Sequence, residues 1–144
     1  MIDIGNKETI KREAKAEGFI RLKKSTLRSI RDNKIKKGSV EEASKVAGIL
    51  GAKMTPQTIP HCHQIPLDSV EPSVKVEEDG VRVTCTVKAR YKTGVEMESL
   101  MCVNSMLLTV WDMVKYLEKD EAGQYKETEI SGIRVLRKVK GQKA

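Results

Sequence analysis

Residues 59–67, IPHCHQIPL, carry both histidines of the chain, His61 and His63, with Cys62 between them and a proline on either side. In extended backbone, residues two apart project to one side, so the imidazoles face one way and the thiol the other. Three chemistries suit this pattern. A His-x-His pair supplies two zinc ligands, although catalytic zinc takes three protein ligands and no third is marked nearby. Imidazoles in a stiff loop also cap backbone carbonyls, a structural use. The third is substrate binding or catalysis by a histidine that proline-restricted backbone holds in position beforehand.

A second group lies between Met97 and Leu117. At about 100° per residue, Glu98, Ser105, Thr109 and Asp112 fall within roughly 60° of one another on a helix otherwise covered by Leu100, Val103, Met106, Leu107, Val110, Met113, Val114 and Leu117. Lys115 follows Asp112 by three residues, on the flank of the same stripe. A carboxylate without a partner is costly to bury, so the stripe faces water, an ion pair or a site. Both an exposed Asp112/Lys115 pair and a functional cleft fit.

The third group is Lys37-Gly38-Ser39. Ser39 and Glu42 form an S-x-x-E capping box, so a helix should begin right after Lys37-Gly38. Free N–H groups at a helix start, together with Lys34, Lys36 and Lys37, would attract an anion; a capped helix after a basic turn explains the same residues.

The elements that position these groups follow from periodicity. Ile10, Ala14, Ala16, Ile20 and Leu22 share one parity and predict a strand. The segment STLRSIRDN predicts a short helix capped by Ser25. Pro56, Pro60, Pro66 and Pro72 exclude one regular element between 54 and 72, which reads as a rigid connector. Alternating valines around Asp79-Gly80 predict a hairpin, and TEISGIRVLRKV a closing strand. The basic residues from about 138 onward read as a frayed tail. This order predicts an α+β fold, a mostly antiparallel sheet with helices on one face, in one domain over residues 1–144.

With 144 residues the chain has enough length for a core without staples. Three cysteines, Cys62, Cys85 and Cys102, without a C-x-x-C pair, argue against a disulfide framework and point to a reducing cytoplasm. No segment is apolar enough to predict a membrane partner. A net charge of +7 admits a basic nucleic-acid-binding module, but with five aromatic residues the stacking surfaces of such a protein are largely missing. The zinc reading of His61 and His63 predicts a zinc-dependent hydrolase instead.

Taken together, KGSVEEASKVAGILGAKMTPQTIPHCHQIPL, TGVEMESLM and TVWDMVK, in this order and spacing, resemble the MoaC family of molybdenum cofactor biosynthesis. The resemblance runs from about Lys11 to the terminal strand. It implies a ferredoxin-like fold and a homohexamer, a trimer of dimers, with active sites at subunit interfaces. The implied reaction converts (8S)-3',8-cyclo-7,8-dihydroguanosine 5'-triphosphate to cyclic pyranopterin monophosphate with release of diphosphate. The resemblance implies no resident metal or cofactor, with Mg2+ accompanying the triphosphate as an open possibility. Its catalytic residues fall on Asp112, Lys115 and Lys37. Its substrate contacts fall on His61, Cys62, His63, Met97 and Glu98, with Lys53 and Arg12 at further basic positions. Where the family often carries Lys-Gly-Asp this chain has Lys37-Gly38-Ser39, and many relatives have an apolar residue where His61 stands.

Overall fold

The alternating pattern of residues 10–22 folds as the strand β1 (Ile10–Arg21), with Ile10, Ala14, Ala16 and Ile20 buried and Lys11, Glu13, Lys15 and Glu17 on the opposite face. The computed structural model describes residues 1–143, of which 142 and 143 by backbone alone. After β1 come the helices α1 (Lys24–Arg31), α2 (Val40–Lys53) and α3 (Thr55–Thr58), the hairpin β2 (Leu67–Val76) and β3 (Gly80–Tyr91), the long helix α4 (Glu96–Glu118) and the strand β4 (Glu129–Lys143). The four strands form one antiparallel sheet in the order β2-β3-β1-β4. This is the expected ferredoxin-like α+β arrangement. Its core joins Val81, Val83 and Val87 of β3 to Val103, Met106, Leu107, Val110 and Val114 of α4. Each such side chain contributes about 1.5–3 kcal/mol on leaving water.

Two helices position the chemistry. Gly48 and Gly51 let α2 lie close against α4: a Cβ at Gly51 would stand 2.1 Å from the Ser105 hydroxyl and 2.8 Å from the Met101 carbonyl oxygen. The start of α2 therefore sits beside the C-terminal half of α4, and its end beside the N-terminal half. Ser39 caps α2 as expected, its hydroxyl accepting from the Glu42 N–H at 3.2 Å.

Four expectations need correction. The basic residues from 138 to 143 are not frayed but continue β4, with Lys138 opposite Ala14 and Lys140 opposite Arg12; Ala144 lies outside the described residues. Lysine is the common residue of an edge strand, where it discourages further pairing, and so β4 imitates a tail in composition. Ser25 does not cap α1, which starts at Lys24, two residues earlier than that cap requires. Instead the buried Glu118 carboxylate, reaching over from the end of α4, accepts from the Lys23 N–H at 3.2 and 3.3 Å and from the hydroxyls of Thr26 and Thr128. The proline-rich stretch holds one turn of helix, α3, and its last proline, Pro72, lies within β2, an edge strand where a missing N–H is tolerated. Finally, Cys85 and Cys102, both fully buried, are joined by a disulfide that ties β3 to α4. Counting cysteines cannot reveal that a strand and a helix present them to the same point.

Candidate active site

At the C-terminal half of α4, a tight turn delivers a lysine. Asn33 (φ 54°) and Gly38 (φ 107°) occupy the left-handed region, and the buried Ile35 anchors the turn between them. The Lys36 N–H donates to the Tyr116 hydroxyl at 2.9 Å, and its ammonium sits 5.3 Å from the centre of that ring. Lys37 is thereby laid across α4, where its ammonium donates to the Asp112 carboxylate at 2.9 Å and to the Asp112 carbonyl at 3.0 Å. Lys115 reaches the other carboxylate oxygen at 3.0 Å.

Both oxygens of Asp112 are held by ammonium groups. Hydrogen bonds from Lys37, then Lys115, keep its carboxyl below the usual range, and Asp112 in turn raises Lys115. Burial and a neighbouring carboxylate push a lysine in opposite directions. Here the side chains of Lys37, Asp112 and Lys115 are about half exposed (46, 56 and 42%), so the carboxylate prevails and Lys115 carries its proton at neutral pH. In this chain the three groups form an exposed pair of ion pairs in which Lys115 is protonated. Trp111 and Tyr125, ring centres 5.2 Å apart, line an open depression of about 460 Å3 beside Asp112 and Lys115. The rest of the predicted stripe does not join them: Ser105 packs against Gly51, and the Thr109 hydroxyl donates to the Ser105 carbonyl at 2.7 Å.

At the opposite end of α4, the loop after α3 and the first turn of the helix enclose a cleft of about 720 Å3. His61, Cys62, His63, Met97 and Glu98 all line it. Glu98 lies in the first helical turn, where the dipole favours a carboxylate, yet burial pushes its carboxyl up to about 7; its own N–H opposes the shift and Glu96 adds to it. Near neutral pH the carboxyl is therefore close to the point where it exchanges its proton. Burial, then Glu98, raises the Cys62 thiol, which remains protonated. His63 Nε2 lies 2.7 Å from the Ile2 carbonyl, and His61 Nδ1 lies 3.1 Å from the amino group of Met1.

The remaining predicted residues sort differently. Arg12 donates to the carbonyls of Tyr91 and Lys92 at 3.4 and 3.2 Å, near Glu96 on the cleft wall. Burial raises Glu96, but the Lys138 hydrogen bond at 2.6 Å, its own N–H and the charges of Lys138 and Arg12 outweigh it and hold the carboxyl below the usual range. Lys53, exposed at the end of α2, lines neither cavity. Lys7, Glu96 and Lys138 were not anticipated. Glu96 stands inside the TGVEMESLM stretch, which was the available signal, whereas Lys138 was hidden in the supposed tail.

The fold thus assembles two groups that do not meet within one chain. Glu98 and Asp112 are fourteen residues apart on α4, about 21 Å along its axis at about 1.5 Å per residue. Among the described residues, no three His, Cys, Asp or Glu side chains converge as a metal site would require, so His61 and His63 gain no third ligand. Nor is any described helix long and apolar enough to cross a membrane.

The sequence profile of the MoaC family matches residues 1–141. This chain belongs to the MoaC family. It is 54% identical over 140 residues to a protein of Sulfurisphaera tokodaii named "probable cyclic pyranopterin monophosphate synthase", covering 97% of this chain and 93% of the relative. Proteins of the same name from Archaeoglobus fulgidus and Thermococcus kodakarensis are each 51% identical, covering 99% of this chain and 92% and 91% of theirs. The MoaC stretches divide between the two ends of α4: KGS and TVWDMVK form the lysine-aspartate group, while PHCHQIP and TGVEMESLM form the cleft.

Proposed function

We propose that this chain is a cyclic pyranopterin monophosphate synthase of molybdenum cofactor biosynthesis, converting (8S)-3',8-cyclo-7,8-dihydroguanosine 5'-triphosphate to cyclic pyranopterin monophosphate and diphosphate. The observation that carries this reading is the pairing, in one MoaC-family chain, of a cleft poised near neutrality with a doubly ion-paired aspartate. In the cleft, Glu98 with a carboxyl near 7 is suited to the donor and acceptor edge of a guanine-derived ring, with His63, Cys62 and Met97 beside it. Lys115 donates a proton during ring opening or closure, a contribution of about 10²–10⁴-fold for a positioned acid. Lys37 neutralises charge that grows on the leaving diphosphate. Asp112 holds both ammonium groups in place. Any Mg2+ enters with the triphosphate, and no residue is assigned to it.

We further propose that the enzyme works as a cytoplasmic homohexamer whose active sites each take the cleft of one subunit and the Lys37–Asp112–Lys115 group of its neighbour. A separation of about 21 Å along one rigid helix supports this, because a single nucleotide-sized substrate does not bring both ends of α4 to one reacting centre. A neighbouring subunit over Asp112 would also exclude water and strengthen its ion pairs. Arg12 and Lys53 are assigned to the triphosphate by charge. Incubation with the cyclic dihydroguanosine triphosphate tests the reaction: release of diphosphate and a product that oxidises to a fluorescent pterin is expected. Intact substrate after prolonged incubation with the assembled protein would refute it.

A further inference from the structure

Residues 1–7 precede β1 and belong to no helix or strand, yet, besides the contact of the Met1 amino group with His61, three further contacts tie them down. The Asp3 carboxylate accepts from the Gly5 N–H at 2.7 Å, closing a local turn. The Lys92 ammonium, from the loop between β3 and α4, donates to the Gly5 carbonyl at 2.7 Å. The third tie is functional in position: the Ile2 carbonyl lies 2.7 Å from Nε2 of His63, while Ile2, Ile4 and Lys7 form one wall of the cleft.

A carbonyl oxygen only accepts, so Nε2 of His63 carries the proton, and in the neutral ring the lone pair is then on Nδ1. Among the described residues Nδ1 has no hydrogen-bond partner. The loop around His63 has no regular structure of its own between α3 and β2. Without the Ile2 contact, nothing among the described hydrogen bonds would set the rotation of the ring.

We infer that segment 1–5 is a positioning element of the site, its Ile2 carbonyl holding His63 as the Nε2–H tautomer and leaving the basic Nδ1 for the ligand in the cleft. The tautomer assignment stands on geometry alone; its use in turnover rests on the function proposed above. The same contact makes the segment a wall whose removal would open the cleft to water on the His63 side. Lys92 supports it through Gly5, so weakening that anchor should act in the same direction and less strongly.

His61 and His63 are the two histidines of the chain, so imidazole nitrogen spectra of the 15N-labelled protein contain two rings, distinguished by His61→Gln. In the full chain, His63 is expected to show Nδ1 as the bare nitrogen and a slowly exchanging proton on Nε2. Deleting residues 2–5 should bring that proton into fast exchange and lower kcat/KM about three- to tenfold, the worth of one hydrogen bond, without changing the unfolding temperature. Lys92→Met should produce a smaller shift of the same sign. A proton on Nδ1 in the full chain would overturn the inference, as would a truncated chain whose spectrum and kcat/KM match the parent. Should the full chain show no turnover at all, the proposed reaction fails while the spectra still decide the tautomer.

Discussion

The two ends of α4 carry the same kind of residue under opposite electrostatics. At the N-terminal end, Glu98 is buried with no lysine partner among the described residues and is pushed towards neutrality; at the other, Asp112 is half exposed between two ammonium groups and is held ionised. One helix thus presents a carboxyl suited to hydrogen bonding a neutral ring and a carboxylate suited to organising cations. Burial decides the first and charge pairing the second. The division also separates stability from chemistry. Glu98 is expensive to keep inside the protein, whereas the Asp112 group lies on the surface, where replacing it costs the fold little.

The largest expected effect is on activity at the exposed end. Asp112→Asn or Lys115→Ala should lower kcat/KM by about 10²–10⁴-fold in a steady-state diphosphate assay, as loss of a positioned acid predicts, with the unfolding temperature unchanged. A fall in both would erase the contrast between the ends.

The next effect belongs to the buried end. Glu98 binds its proton up to about pH 7 in the folded chain, against its ordinary value of 4.5, so between these values the folded state holds more protons than the unfolded one. Its stabilising contribution is complete below about pH 4.5 and is lost as the pH rises through 7, a swing on the order of 3 kcal/mol. Denaturant titrations at pH 5 and pH 8 should show this component, and Glu98→Gln should remove it. Equal pH slopes in parent and variant would mean that Glu98 ionises normally.

Two further changes act on one end each. The Cys85–Cys102 bridge closes a loop of sequence separation 17 and fastens the N-terminal half of α4 to β3. Replacing Cys102 with Ala should cost about 3 kcal/mol by chain-entropy reasoning, read by thermal unfolding without reductant. It should perturb the Glu98 cleft more than Asp112. Ser39→Ala removes the cap of α2 beside Lys37 and should cost about 1 kcal/mol, read the same way.

Periodic patterns carried much of the fold. The parity of Ile10, Ala14, Ala16 and Ile20, the valines of β3 and the apolar face of α4 each reflect one dominant contact surface, and such patterns are legible in one dimension. The cap of α1 was not, because its acceptor, Glu118, comes from an element far along the chain. The disulfide escaped for the same reason, and β4 because edge-strand lysines imitate a solvated tail. At the site, the i, i+3 spacing of Asp112 and Lys115 and the capping box after Lys37 were visible, as was the stiff His61–His63 loop. Periodicity placed Glu98 and Asp112 on one side of a helix, but depth is set by neighbours: α2, through its glycines, covers part of that stripe and leaves Asp112 outside. The fold of residues 1–5 over His63 had no sequence signal, since it rests on a backbone carbonyl.

Subunit sharing of the site is tested most directly by mixing two variants expected to be inactive, Lys115→Ala, which damages the exposed group, and Glu98→Ala, which removes the carboxyl from the cleft. After the two are unfolded together and refolded at equal amounts, a site shared between neighbours would pair an intact cleft with an intact lysine-aspartate group in some assemblies. Activity should return to about one quarter of the parental value, the share expected when two variants assort at random into twofold pairs. A mixture as inactive as either variant alone, in assemblies shown by mass measurement to contain both chains, would contradict a shared site.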